Sequence, residues 1–262
     1  MPGLGQAGMN IINLIVIFEY MTCKNCGCEV TGKYCSACGQ PASTGRLNVK
    51  ELLLSFWDVF THAEQGIFKA VYTLTTKPAY FAMEYISGRR KKYFSPIKYL
   101  IVVVTFSALV ILNFSRLGLP FEPAFPNDSS VDDIVEQDYF NHKNYKTQLF
   151  LSIPLASLIS WLLFRRSGFN YAENLVLNTY LLAQTILFHV LLITPSLILS
   201  NPDIDQWIIL FYLAVSFLYI TWAYTAFFNG KKIINFIKAV LTVAIFSVLY
   251  NVISHRIFLM FK

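Results

Sequence analysis

Charge is what this sequence has least of. Only 14% of its 262 residues are Asp, Glu, Lys or Arg, while 55% are hydrophobic. A soluble globular chain carries about 25% charged and about 45–50% apolar residues. The deficit is gathered into long uncharged runs, which excludes an ordinary soluble domain and matches the composition of a membrane protein. Carboxylates are the scarcer sign, 15 against 21 basic residues, for a net charge of +6. In a membrane protein such an excess reflects Lys and Arg in cytoplasmic loops. Cysteine is absent beyond Cys38, so a disulfide framework spread over a secreted domain is excluded. P-loop, G-x-S-x-G, H-E-x-x-H and Rossmann fingerprints are missing as well. No Asp or Glu lies deep in an apolar run, which leaves carboxylate-coupled ion transport without its usual group. No catalytic residue is assigned, and nothing argues for an enzyme.

What is present is a series of apolar runs near the roughly 20 residues needed to cross a bilayer. Five spans are expected, at about 97–115, 147–164, 175–199, 207–228 and 233–254. They must be helices, because an open strand cannot satisfy its backbone in lipid. The connections alternate in charge. Arg89, Arg90, Lys91 and Lys92 precede the first span, and Arg165-Arg166 and Lys231-Lys232 follow the second and fourth. The loop after the first span carries Glu122, Asp128, Asp132, Asp133, Glu136 and Asp138, and the loop after the third carries Asp203 and Asp205, both on the side opposite the basic loops. The positive-inside rule then puts the N-terminus in the cytoplasm, with Lys238 able to snorkel back to that side.

All five cysteines fall within residues 23–38. Cys23-x-x-Cys26 and Cys35-x-x-Cys38 are two knuckles whose thiolates would face one another, the tetrahedral sulfur cage that zinc prefers. Gly27 and Gly39 follow the second cysteine of each pair, where the chain must turn sharply. Residues 21–41 are too few to bury a core, so a structural Zn2+ would supply most of their folding free energy. A redox dithiol pair, an iron–sulfur site or an unoccupied site are the alternatives. Cys28 is a fifth thiol with the poorer C-x-C spacing. Four thiolates leave no open position for hydrolytic chemistry, so the module reads as a docking or clamping element for a protein partner. With only Lys24 and Lys33 and no aromatic platform, it is a poor nucleic-acid binder.

Residues 1–20 are an uncertain extension, with an apolar run at Ile11–Phe18 too short to span and Met21 a candidate start. Residues 47–95 form a juxtamembrane region. Val49, Leu52, Leu53, Phe56, Trp57 and Phe60 recur at helical spacing, a second helix covers about 67–75, and Pro78 separates it from a third at about 79–87. Gly88 is a natural stop. These pieces are too short to span, and are expected on the membrane surface or against the bundle. His62-Ala-Glu64 resembles the H-x-E of zinc deaminases but lacks their P-C-x-x-C partner, and reads as a polar helix face. The run Arg89–Lys92 fixes topology and is a candidate seat for anionic lipid headgroups. Residues 96–262 form the transmembrane domain. Within it Asn174, Asn178, Thr185, His189 and Ser196 share one face of the third span. That face is either interhelical glue or the lining of a small-solute or lipid path, and glue is the simpler reading.

The order of these features carries a resemblance. A ribbon ending Cys35-Ser-Ala-Cys38-Gly39-Gln40 is followed by the His62 helix, Thr73-Leu74 before Lys77-Pro78, then Glu84-Tyr85-Ile86-Ser87-Gly88-Arg89-Arg90-Lys91-Lys92-Tyr93 and Ser95-Pro96. Over residues 21–115 the chain resembles the uncharacterised bacterial membrane family termed domain of unknown function 3667. It departs from the family's pattern at Arg89, where Lys is expected. The resemblance implies the bacterial cytoplasmic membrane, a ribbon, and no assigned activity. The expected fold is therefore an all-α polytopic membrane protein of about five transmembrane helices, with an N-terminal four-cysteine zinc ribbon and amphipathic surface helices.

Overall fold

A computed structural model of the chain describes residues 21–49, 66–116, 145–199 and 202–261. The expected helix over 49–60, His62 and Glu64, the extension 1–20 and most of the acidic loop 118–146 lie outside the described residues. What is described is mostly helical: α1 (Ile67–Thr76), α2 (Pro78–Ile86), α3 (Pro96–Arg116), α4 (Tyr145–Leu163), α5 (Tyr171–Leu199), α6 (Pro202–Phe227) and α7 (Lys232–Phe261). The N-terminal module adds a two-stranded antiparallel pair, β1 (Met21–Thr22) and β2 (Glu29–Val30), with Met21 opposite Val30 and Thr22 opposite Glu29.

Among the described residues three helical stretches are long and apolar enough to cross a membrane, Tyr171–Leu192, Trp207–Phe227 and Lys232–Met260. Two further apolar stretches, Pro96–Val110 and Leu151–Leu163, are shorter. All five coincide with expected spans, and by length and composition three of them have the capacity to cross. Their outer faces support that capacity. On α7, Ile233, Ile237, Leu241, Ile245, Val248 and Val252 are all exposed at three- and four-residue spacing, and α6 exposes Trp207, Phe211, Leu218 and Trp222. A contiguous apolar stripe of this size is foreign to a water-soluble surface.

Each helix has a local cause. Helix α2 begins with Pro78 in its first turn, where a missing N–H costs nothing. It ends in a Schellman motif: the Arg89 amide donates to the Glu84 carbonyl at 3.2 Å and the Gly88 amide to Tyr85 at 3.2 Å, with Gly88 at φ +106°. Helix α5 starts four residues earlier than expected because of a capping box. The Glu173 amide donates to Asn170 Oδ1 at 2.8 Å, and the Asn170 amide donates to Glu173 Oε2 at 2.8 Å. Two orphan donors of the first turn are satisfied at once.

Helix α5 is the centre of the fold, with α1, α2, α3, α4 and α6 all packed against it. The short helices α1 and α2 thus belong to the bundle, burying Ala70, Leu74, Phe81, Ala82 and Tyr85. Aromatic rings fill the junction: Phe81 meets Tyr180 edge-on at 5.2 Å and Tyr93 at 5.0 Å. The Tyr180 hydroxyl donates to the Phe94 carbonyl, and Tyr219 donates to Leu74 at 2.9 Å. The break between α1 and α2 therefore has its freed backbone paired by α6.

Candidate metal centre

The cysteine module is built from two copies of one turn. In the first, the Cys23 amide donates to the Cys28 carbonyl and the Gly27 amide to the Cys23 carbonyl, both at 2.8 Å; in the second, Cys35 donates to Gln40 and Gly39 to Cys35, again both at 2.8 Å. Gly27 and Gly39 take φ values of +78° and +68°, which only glycine adopts cheaply. The turns face one another and bring Cys23, Cys26, Cys35 and Cys38 together with all ligand atoms within 4.8 Å. Cys23 Sγ lies 3.6 Å from Cys38 Sγ, and Cys26 Sγ 3.5 Å from Cys35 Sγ. A tetrahedron with metal–thiolate bonds of about 2.3 Å has edges of about 3.8 Å. Two edges of the cage are close to that length and no separation exceeds 4.8 Å, so a small closure would fit the four sulfurs to a metal ion.

Backbone amides prepare the sulfurs. The Cys38 and Ala37 amides hold the Cys35 thiol below the ordinary thiol range, and the Gln40 amide does the same for Cys38. Cys26 is pulled down by the Cys28 amide, but desolvation and the neighbouring thiols push it well up. Crowded thiols share the protons that a metal ion would displace. Cys28 is exposed and outside the four-sulfur group.

The module does not stand free. Gln40 is 2% exposed, and its Nε2 donates to the Gly88 carbonyl at 2.7 Å. Asn25 Oδ1 accepts the Lys92 amide at 3.1 Å, and Arg90 Nη2 donates to the Gly45 carbonyl at 2.9 Å. A Cβ on Gly88 would meet Lys24 Cδ at 2.9 Å and Thr44 Cγ2 at 3.6 Å, so the loop can lie this close only as glycine. Lys24 is held in turn, its Nζ donating to the Thr44 carbonyl at 2.7 Å. Both ends of the basic segment Ser87–Lys92 are thus pinned by residues that flank the sulfurs.

The linker after the module carries the contact onward. Arg46 makes a two-point pair with Glu173, at 2.8 and 2.9 Å, and its Nη2 also donates to the Gly168 carbonyl at 2.6 Å. Asn170 Nδ2 donates to the Leu47 carbonyl at 2.9 Å, and Leu47 is buried in the core. Arg46 did not stand out in the sequence, and Gln40 did so only as the last residue of the ribbon motif. The one legible signal was the N-x-x-E spacing of Asn170 and Glu173, which marks a capping box but not its partner.

The other site residues divide. Arg89 pairs with Glu84, whereas Lys91 and Lys92 are exposed, with the Lys92 ammonium 5.8 Å from the Tyr93 ring. On α5, Asn174 and Asn178 are buried and tie α4 and α6 to the centre. Ser160 Oγ donates to Asn174 Oδ1 at 3.1 Å, Asn178 Nδ2 to Ser160 Oγ at 3.0 Å, and the Tyr224 hydroxyl to Asn178 Oδ1. Thr185 bonds back to Leu182 at 2.8 Å, and His189 meets the Tyr212 ring at 5.2 Å. Ser196 lies on α5 beyond the described side chains. Asn178 and Thr185 border a mostly apolar cavity of about 80 Å³ between α4, α5, α6 and α7, but their polar atoms are occupied by protein partners. Of these residues, Asn174 and Asn178 bond across to neighbouring helices.

No curated protein and no solved structure matches the chain. The cysteine module lies outside the one stretch with a family match, which runs from just before α1, through the basic loop, into α3. Over that stretch, residues 64–108, the chain matches the family described as protein of unknown function (DUF3667), the family that its motifs resemble.

Proposed function

We propose that this is a polytopic protein of the bacterial cytoplasmic membrane, with five spans and a cytoplasmic N-terminus, in which a structural Zn2+ in the four-cysteine module clamps the juxtamembrane basic loop to the helical bundle. One observation carries the reading: the second knuckle ends in Gln40, whose side chain is buried against Gly88. The same knuckle that holds the metal holds the loop. Zinc is favoured over other ions by the all-sulfur donor set and the closed tetrahedral cage. The function is then of the binding and scaffolding class, with the metal setting the shape of the cytoplasmic end. A protein partner docks on the outer face of the module, where Tyr34 is 65% exposed.

Two measurements on the full chain in detergent test the proposal. Metal analysis should give one zinc per chain, lost in a Cys35→Ser, Cys38→Ser variant of equal membrane abundance. In-cell crosslinking of the same pair then separates clamp from docking surface. A protein recovered only with the wild type makes the module a docking element as well, whereas identical recovery leaves the clamp alone. Wild-type protein purified without stoichiometric metal would overturn the zinc assignment.

A further inference from the structure

The sequence points to Arg89–Lys92 as the seat for anionic lipid, but half of that run is engaged inside the protein, Arg89 by Glu84 and Arg90 by the Gly45 carbonyl. A second cationic group forms where two loops distant in sequence meet. The turn Arg165–Ser167 after α4 and the turn 228–231 before α7 are joined by stacked rings. Phe164 lies on Phe228 at 3.8 Å, and Phe169 lies against Phe227 at 4.6 Å. This stack brings together the loops that carry Arg165, Arg166, Lys231 and Lys232, none of which has an ion pair among the described residues. Lys238 joins them nearly two turns inside α7, its Nζ 5.5 Å from the Phe164 ring.

Below the cations runs an apolar seam. Helices α4 and α7 pack against each other, and two recesses open along their contact. The first is the 80 Å³ cavity, bordered on these helices by Ile153, Ala156, Thr242 and Phe246. The second is bordered by Leu151, Leu155, Tyr250 and Ile257. Thr242 and Phe246 follow Lys238 at four-residue intervals, so the first recess lies next to it along α7, and the second lies further along the α4–α7 contact. From Lys238 to Phe246 the axis covers about 12 Å at 1.5 Å per residue, comparable with the half of a roughly 30 Å core that one acyl chain crosses. Exposed Ile234 and Ile237 beside this track face outward.

We propose that the α4–α7 seam binds one anionic diacyl phospholipid, its phosphate held by Arg166, Lys231 and Lys238 and an acyl chain entering the first recess. A charged head over an apolar track of one chain's length fits an amphiphile and neither a free anion nor a neutral apolar molecule. The inference rests on the membrane reading of the preceding section. That reading is checked separately by whether the chain stays in the membrane pellet after a carbonate wash.

Native mass spectrometry of the full chain in detergent tests the site, with dioleoyl phosphatidylglycerol, dioleoyl phosphatidylcholine and glycerol 1-phosphate as probes. One phosphatidylglycerol should be retained at least about tenfold more strongly than phosphatidylcholine, with no retention of glycerol phosphate. Arg166→Gln with Lys231→Gln should abolish the preference for phosphatidylglycerol while leaving the protein monodisperse. Ala156→Phe, which fills the first recess, should weaken both lipids. Equal retention of both lipids by the wild type, or glycerol phosphate binding as tightly as the lipid, would overturn the proposal. So would an unchanged lipid preference in the two-residue variant.

Discussion

The side-chain amide of Gln40 donates across 2.7 Å to the backbone carbonyl of Gly88, forty-eight residues away in the chain. Gln40 also offers its own amide to the Cys38 sulfur. A single residue therefore touches both the four-sulfur group and the loop that precedes α3. Replacing Gln40 with Ala strands a buried carbonyl, which costs about 1–3 kcal/mol. The expected result is a lower unfolding temperature with metal content unchanged, measured by thermal unfolding and metal analysis on the same sample. Loss of metal in parallel would mean that Gln40 serves the cage and not the seam.

Gly88 is the other half of that contact. Its φ of +106° and the 2.9 Å approach of Lys24 Cδ leave no room for a side chain. Gly88→Ala should destabilise by about 1–3 kcal/mol through backbone strain, with additional displacement of Lys24. Gly27 and Gly39 have positive φ but open space around them, so alanine there should show the strain alone. Equal effects at Gly88 and Gly39 would argue against close packing at the seam.

Acidification should release the metal. The amides around Cys35 and Cys38 hold both thiols below their ordinary range. A group whose folded pKa is depressed contributes stability above its unfolded value and loses it as pH falls through the folded one. Protons then compete with the metal for sulfur. Metal content after dialysis through a descending pH series should fall and recover on return to neutral. Retention that ignores pH would contradict thiolate ligation.

At Arg46 the arginine is largely exposed, while the Glu173 side chain is 6% exposed. The pair itself is worth about 1 kcal/mol at such a site. Glu173→Gln keeps a side-chain acceptor for the Asn170 amide but removes the charge, so it should cost less than Glu173→Ala, which removes both. Thermal unfolding of the two variants separates helix capping from the ion pair. Identical losses would assign the whole effect to the charge.

Much of this architecture was legible. Hydropathy located every long apolar helix because lipid-facing and core-facing positions are both apolar there. Pro78 and Gly88 marked the ends of α2 because each restricts the backbone in its own way. The C-x-x-C spacing located the four sulfurs because a knuckle is a local structure. The seam was not legible, since Gln40–Gly88 and Arg46–Glu173 are contacts between distant residues that no spacing encodes. Periodicity also could not say whether α1 and α2 lie on lipid or on protein. The answer came from Leu74 and Phe81, buried against partners on other helices.

The polar face of α5 could be read as glue or as a path, and the bonds of Asn178 to Ser160 and Tyr224 favour glue. Asn178→Leu should lower stability by about 1 kcal/mol, and a His189→Leu change added to it should cost little more. Loss of a cellular phenotype at full stability and abundance would restore the path.

The central claim is that the metal cage holds the basic loop. Amide hydrogen exchange at Lys92, whose N–H is held by Asn25 Oδ1 at 3.1 Å, tests it most directly. The full chain in detergent is compared before and after zinc chelation. Exchange at Lys92 should rise sharply on chelation while the amides of Val176 and Leu177 in the core of α5 stay protected. Exchange at Lys92 that is unaffected by chelation would contradict the clamp.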